Sequence, residues 1–137
     1  MESIPAARQG FRTVTSRIVV DDVGAQVAFL RQVFGATGDV FDGRPAEIAM
    51  GDSIVMISGP LERALFPGFL YIYVDDADTV HGRAVAAGAT TIEAPVDTPY
   101  GDRRAMVRDP FGNVWQIAHV LGALTRDPSV RSSGCSP

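Results

Sequence analysis

Apolar positions along this chain alternate with polar ones in several short runs and recur every three or four residues in two longer ones. Arg17-Ile18-Val19-Val20 and Tyr71-Ile72-Tyr73-Val74 are rich in β-branched and aromatic residues, and each leads into an Asp pair, Asp21-Asp22 and Asp75-Asp76. Both runs predict strands. After the first, Val23, Val27, Leu30 and Phe34 fall at helical spacing and stop at Gly35-Ala36. After the second, Ala77, Val80, Ala84 and Ala87 do the same and stop at Gly88-Ala89. That spacing predicts two amphipathic helices. The preceding Asp pairs supply an N-cap and complement the positive end of each helix dipole. Gly35 and Gly88 suit the C-terminal stops.

Three short strand-like runs follow each helix. In the first half they are Asp39–Asp42, Ala46–Met50 and Ser53–Ser58; in the second, Thr91–Pro95, Arg103–Arg108 and Asn113–Val120. Asp42-Gly43, Gly51-Asp52, Tyr100-Gly101 and Asp109-Pro110-Phe111-Gly112 carry turn chemistry between them, at spacings that suit antiparallel hairpins. The chain therefore reads as βαβββ, a linker at Gly59–Gly68, and βαβββ again, with modules at about 13–58 and 69–120. The alternative is a ferredoxin-like or other α+β sandwich with a chance repeat. Strand order, helix placement and turns agree across both halves, which favours the duplication. From about Thr125 the Ser, Pro and Gly content predicts a loose tail over residues 125–137.

Composition narrows the function classes. With 137 residues, 46% hydrophobic and 20% charged, the chain can bury a real core as one domain or two small packed halves. No run approaches the roughly 20 apolar residues of a membrane span. The opening MESIPAARQG holds no apolar stretch of the signal-peptide kind, so a cytoplasmic protein is expected. A net charge of −4 argues against sequence-independent nucleic-acid binding. All 12 basic side chains are Arg, so Schiff-base chemistry on a side-chain amine is excluded. The only cysteine, Cys135, lies in the polar tail, which rules out an intrachain disulfide and disfavours a cysteine nucleophile.

Three stretches resemble the vicinal-oxygen-chelate superfamily, the glyoxalase, bleomycin-resistance and dioxygenase relatives. Ile18 to Asp22 through Phe29 and Val33-Phe34-Gly35-Ala36 look like the opening of that family's first module. Tyr71 to Ala89 is similar to the start of its second, and Ala105 to Ile117, with Asp109-Pro110-Phe111-Gly112-Asn113, to its closing hairpin. The resemblance implies an α+β fold: two βαβββ modules forming a curved, eight-stranded open-barrel cleft within residues 1–124, paired within one chain or across a swapped homodimer. In the family's enzymes, His and Glu side chains from the cleft-facing strands hold a divalent metal. Aligned through the repeat, the four corresponding positions here are Thr15, Met56, Phe69 and Gln116. None is a His or a carboxylate, so no metal and no cofactor is expected. His81 is expected to face solvent from mid-helix. His119 is an odd number of residues from Gln116 and should point to the other sheet face.

Period-two geometry then assigns the cleft lining. It comprises Thr15, Arg17 and Val19; Ile54, Met56 and Ser58; Phe69, Tyr71 and Tyr73; and Val114, Gln116 and Ala118. Ile18, Val20, Ile72, Val74, Trp115 and Ile117 should pack under the helices. Tyr100 is placed to close over the mouth, and Met50 and Met56 to adapt to a ligand's shape. An aromatic wall with a few polar groups suits a flat, conjugated small molecule. An aromatic at every second strand residue is equally the pattern of a core or a dimer seam, and Arg17 suits either a ligand carboxylate or a structural ion pair. The expected function is metal-free sequestration of an aromatic or heterocyclic natural product, as in antibiotic resistance, with a homodimer as the assembly. The alternative is a metal-independent enzyme of the same fold acting on a small organic substrate, for which Glu47, Asp97 and Asp102 are the carboxylates near the cleft.

Overall fold

A computed structural model describes residues 8, 10–60 and 64–122. The chain divides between Gly68 and Phe69 into two compact units. The first contains β1 (Ser16–Val19), α1 (Val23–Phe34), β2 (Ala46–Met50) and β3 (Ser53–Ser58), with its three strands in the order β1-β3-β2. The second contains β4 (Phe69–Tyr73), α2 (Ala77–Ala86), β5 (Thr90–Asp97), β6 (Asp102–Arg108) and β7 (Val114–Val120), in the order β4-β7-β6-β5. Each sheet is mixed: the unit's first strand runs parallel to its last, and the other neighbours are antiparallel. Arg17 pairs with Met56 across β1 and β3, and Tyr71 with Gln116 across β4 and β7. The duplication therefore extends to the register of the parallel pair.

Both helices start as the sequence dictates. The Asp22 carboxylate accepts from the Ala25 N–H at 3.0 Å, and Asp76 accepts from the N–H groups of Asp78 and Thr79. Helix α1 stops at Gly35 in the left-handed region, at φ 69°. Helix α2 ends one residue earlier than the Gly-Ala pair suggests, with Ala87 as the cap and Gly88 following at φ 106°. In the first unit Val27, Leu30 and Val33 are buried with Ile18, Val20, Ile48 and Ile57; in the second, Val80 and Ala84 are buried with Val107, Trp115 and Ile117. Each fully buried Val, Leu or Ile side chain here contributes about 1.5–3 kcal/mol.

Several expectations are corrected. The apolar stripe of α1 is centred on Val27, Leu30 and Val33, with Phe29 also buried, while Val23 and Phe34 are only half-buried. Ile72 and Val74 are likewise half-buried. Met50 lies on the covered face of β2 with Ala46 and Ile48 and is buried. Asp39–Asp42 forms no strand, so the described residues contain seven strands instead of eight. One bridge, Thr37 to Ala49, marks where an outer strand would begin. The pairing ends at Gly38, whose φ of 130° is not that of a strand; Val40 and Phe41 beyond it are exposed. A Cβ at Gly38 would lie 2.6 Å from the Glu47 carbonyl oxygen. Gly38→Ala is therefore expected to destabilise the fold by about 1–3 kcal/mol, read from the midpoint of urea unfolding. An unchanged midpoint would mean that the backbone relaxes there freely.

The Asp-Pro-Phe-Gly-Asn segment is held from within. The nearly buried Asp109 carboxylate accepts from the backbone N–H groups of Phe111 and Asn113, the Asn113 amide and the Trp115 indole, at 2.9–3.2 Å. Among the described residues no helix is long and apolar enough to cross a membrane. Residues 125–137, including Cys135, lie outside the described residues.

Candidate functional site

In the second unit the even positions of β6 and β7 and the odd positions of β4 share the sheet face turned away from α2. Register puts Tyr71, Gln116 and Met106 in one row and Tyr73, Ala118 and Arg104 in the next. Phe69, Tyr71 and Tyr73 remain 69%, 38% and 54% exposed, so this face is open. The rings of Tyr71 and Tyr73 lie 5.4 Å apart, inclined at 58°. Both phenols donate to the same oxygen of Asp102, at 2.7 Å each.

Asp102 is fully buried at the start of β6. Its backbone is fixed by Thr98, whose N–H and hydroxyl both donate to the Asp102 carbonyl at 2.7 and 2.8 Å. The turn between β5 and β6 thus sets the carboxylate, and the carboxylate sets two aromatic rings. Tyr100, in the same turn, lies with its hydroxyl 3.3 Å from that of Tyr71 and accepts from Arg104 Nη1 at 3.0 Å. A carboxylate only accepts and a guanidinium only donates. The hydrogens therefore run one way, from Arg104 to Tyr100 to Tyr71 to Asp102. Burial first, then the hydrogen bonds to Tyr100 and Asp102 and the Asp102 charge, push the Tyr71 phenol far above its ordinary range. The hydrogen bond to Glu93 raises Arg104 further. Gln116 is half-buried beside Tyr71, and its amide makes no hydrogen bond to another described residue.

In the first unit the corresponding face carries Arg17, Met56 and Glu47 in one row and Val19 beside Ser58 in the next. Arg17 Nε donates to Ser58 Oγ at 3.1 Å. Glu47 is in an ion pair with Arg8. Thr15 precedes β1, half-buried, and its hydroxyl makes no hydrogen bond to another described residue.

Of the residues singled out from sequence, Tyr71, Tyr73 and Tyr100 come together around Asp102, Gln116 adjoins them, and Phe69 extends the same face. Arg17, Met56 and Ser58 adjoin on the first unit's sheet. Asp97 is taken up by Arg103, which also binds Asp78 on α2. His81 is half-buried on α2 and hydrogen-bonds Thr91 Oγ1 at 2.8 Å on the exposed side of the unit. His119 does turn to the helix side, where its Nδ1 accepts from the first N–H of α2 at 2.8 Å. The sequence reading missed Arg104, Met106 and Glu93. The alternation of Arg104 and Met106 with the apolar Ala105 and Val107 was the signal that places the first two on the open face.

The profile of the Glyoxalase/Bleomycin resistance protein/Dioxygenase superfamily matches residues 11–117. The chain belongs to that superfamily. Rv0887c, an uncharacterized protein of Mycobacterium tuberculosis, is 28% identical over 132 residues, covering 83% of this chain and 78% of the relative. Among solved structures, TioX from Micromonospora sp. ML1 is 26% identical with a TM-score of 0.69, covering 79% of this chain and 98% of TioX. A glyoxalase/bleomycin resistance protein/dioxygenase family enzyme from Burkholderia phytofirmans PsJN is 28% identical with a TM-score of 0.68, covering 78% and 97%.

Enzymes of this superfamily use a divalent metal, and the residues can be tested against one. Thr15 and Met56 in the first unit offer a hydroxyl and a thioether; Phe69 and Gln116 in the second offer a hydrocarbon ring and an amide. Neither pair supplies imidazole or carboxylate, and neither fits a catalytic divalent cation. Among the described residues no three His, Cys, Asp or Glu side chains converge on a common point.

Proposed function

We propose that this protein is a metal-free small-molecule binding protein that sequesters an aromatic or heterocyclic natural product. The observation that carries this reading is the pair of exposed tyrosine rings whose hydroxyls are fixed on one buried carboxylate. Rings held this way offer their faces to a flat ligand with little ordering left to do on binding. Each offset stack adds about 0.5–1.5 kcal/mol beyond area burial. Phe69 lengthens the platform, Gln116 offers a free amide within it, and Tyr100 borders it. Arg17, Thr15, Met56 and Ser58 are the contacts proposed on the first unit. A cytoplasmic homodimer is the assembly this reading calls for, and light scattering would give twice the chain mass of 14.6 kDa.

Thermal unfolding against aromatic peptide antibiotics, bleomycin-type glycopeptides, dicarbonyl–thiol adducts and divalent metals tests the reading. A ligand at about a hundred times its dissociation constant adds about 2.7 kcal/mol of stability. The expected result is a raised midpoint with an aromatic antibiotic, lost in Tyr71→Ala and Tyr73→Ala, with the compound recovered unchanged. A midpoint raised by metals alone, or an antibiotic effect that survives both substitutions, overturns it.

The hydrogen bond from Tyr71 to the buried Asp102 carboxylate favours a second reading, a metal-independent enzyme in which the Tyr71 hydroxyl takes a proton from substrate as it passes its own to Asp102. Chemical conversion of a bound compound, abolished in Tyr71→Phe while binding persists, would replace sequestration by this reading.

A further inference from the structure

The first unit contains a cavity of about 360 Å³ against β1 and β3, closed on one side by the segment from Val40 to Pro45. Its volume lies in the range of small-ligand pockets, about 300–1,000 Å³. Two guanidiniums line it, Arg17 and Arg44, and neither is in an ion pair with any described carboxylate. The rest of the wall is mostly apolar, with Val19, Val40, Phe41 and Ile57.

Each guanidinium is fixed in a way that leaves donors free. Arg44 lies over the Phe41 ring with its carbon 4.1 Å from the centroid. Stacking occupies the flat face of the cation and leaves its in-plane N–H groups available. Arg17 uses Nε on Ser58 Oγ, which holds the stem and leaves both terminal nitrogens without a partner among the described residues. Asp42 also lines the cavity without pairing to either arginine, so two positive charges stand against one negative. That balance selects a single negative charge on the ligand.

We propose that this cavity is a binding site for a small monocarboxylate with an apolar or aromatic body. Arg17 and Arg44 receive the carboxylate, and Phe41, Val40 and Ile57 cover the body. The site is built wholly from the first unit; it shares Arg17 and Ser58 with the sequestration reading, whereas Arg44 and Phe41 belong to it alone, so Arg44→Gln tests it apart from ligand capture on the tyrosine face.

The test uses benzoate and naphthoate, with benzamide and naphthamide as neutral matches, followed by amide NMR on the full chain. The acids are expected to shift Gly43, Ser58 and Gly59, and the amides to leave them in place. Loss of a charge-assisted contact should weaken binding of the acids about ten- to a hundredfold in Arg44→Gln and in Arg17→Gln. Arg44 is exposed, so Arg44→Gln should keep the wild-type unfolding midpoint without ligand. In Tyr71→Ala the acids should still shift Gly43, Ser58 and Gly59 as in the wild type. Equal binding of acid and amide, unchanged affinity in Arg44→Gln, or shifts confined to the second unit would each overturn the proposal.

Discussion

Asp109→Ala is expected to lower the stability of the fold by about 3–5 kcal/mol, because it strips the acceptor from several buried donors at once. The carboxylate takes two backbone N–H groups on Oδ1, and the Asn113 amide and Trp115 indole on Oδ2. Asn113 and Trp115 are essentially sealed from solvent, so water cannot readily take over their bonds. Asp109→Asn keeps one carbonyl oxygen for the backbone pair, but turns its own amide towards the two remaining donors. It should therefore recover only part of the loss. Trp115 is the only tryptophan, so its fluorescence follows urea unfolding in both variants without labelling. A loss under about 1 kcal/mol for Asp109→Ala would mean that water fills the site after all.

That turn also shows what the sequence makes legible. Asp-Pro-Phe-Gly-Asn is a local device, read from its turn-forming residues and from the family resemblance, and its partners lie within six residues of Asp109. The helix starts at Asp22 and Asp76 are equally local and hold for the same reason. Period two placed Tyr71, Tyr73, Arg17 and Met56 on the open faces because one face of each sheet must be buried. Met50 was offered beside Met56 for its flexibility, not by parity, and it is buried on the covered face of β2; the other miss is Asp39–Asp42, read as a strand-like run. There Gly38 ends the pairing after one bridge, and nothing in Val40-Phe41 announces that. The carboxylate under the tyrosines was harder still. Asp102 meets Tyr71 and Tyr73 across 31 and 29 residues, through a β5–β6 register interrupted by irregularities. It could be named as a nearby acid, but not as the group that orders the aromatic face.

Removing that carboxylate should uncouple the tyrosine face from the rest of the fold. In Asp102→Ala both phenols lose their shared acceptor, and the rings must be ordered by the ligand. At about 0.5–1.5 kcal/mol for each side chain immobilised on binding, two rings amount to about a ten- to hundredfold loss of affinity for an aromatic ligand. Asp102→Asn keeps an acceptor of the same shape without the charge, so it should fall between wild type and Asp102→Ala in affinity. The same substitution has a signature that needs no ligand. In the wild type the Tyr71 phenol is held above its ordinary value of 10.0. The folded protein thus keeps this proton more tightly than the unfolded chain does. The stability it contributes is complete below pH 10.0 and is lost as the pH rises further, towards the folded value. Taking away the Asp102 charge and weakening the acceptor both ease ionisation of Tyr71, so tyrosinate absorbance should appear at lower pH in Asp102→Asn than in wild type. In Tyr71→Phe that late component should be absent. Identical alkaline titrations in wild type and Asp102→Asn would mean that Asp102 does not control Tyr71. If the affinities also matched, the rings would be held by packing alone, and the argument for a platform ordered from beneath would fail.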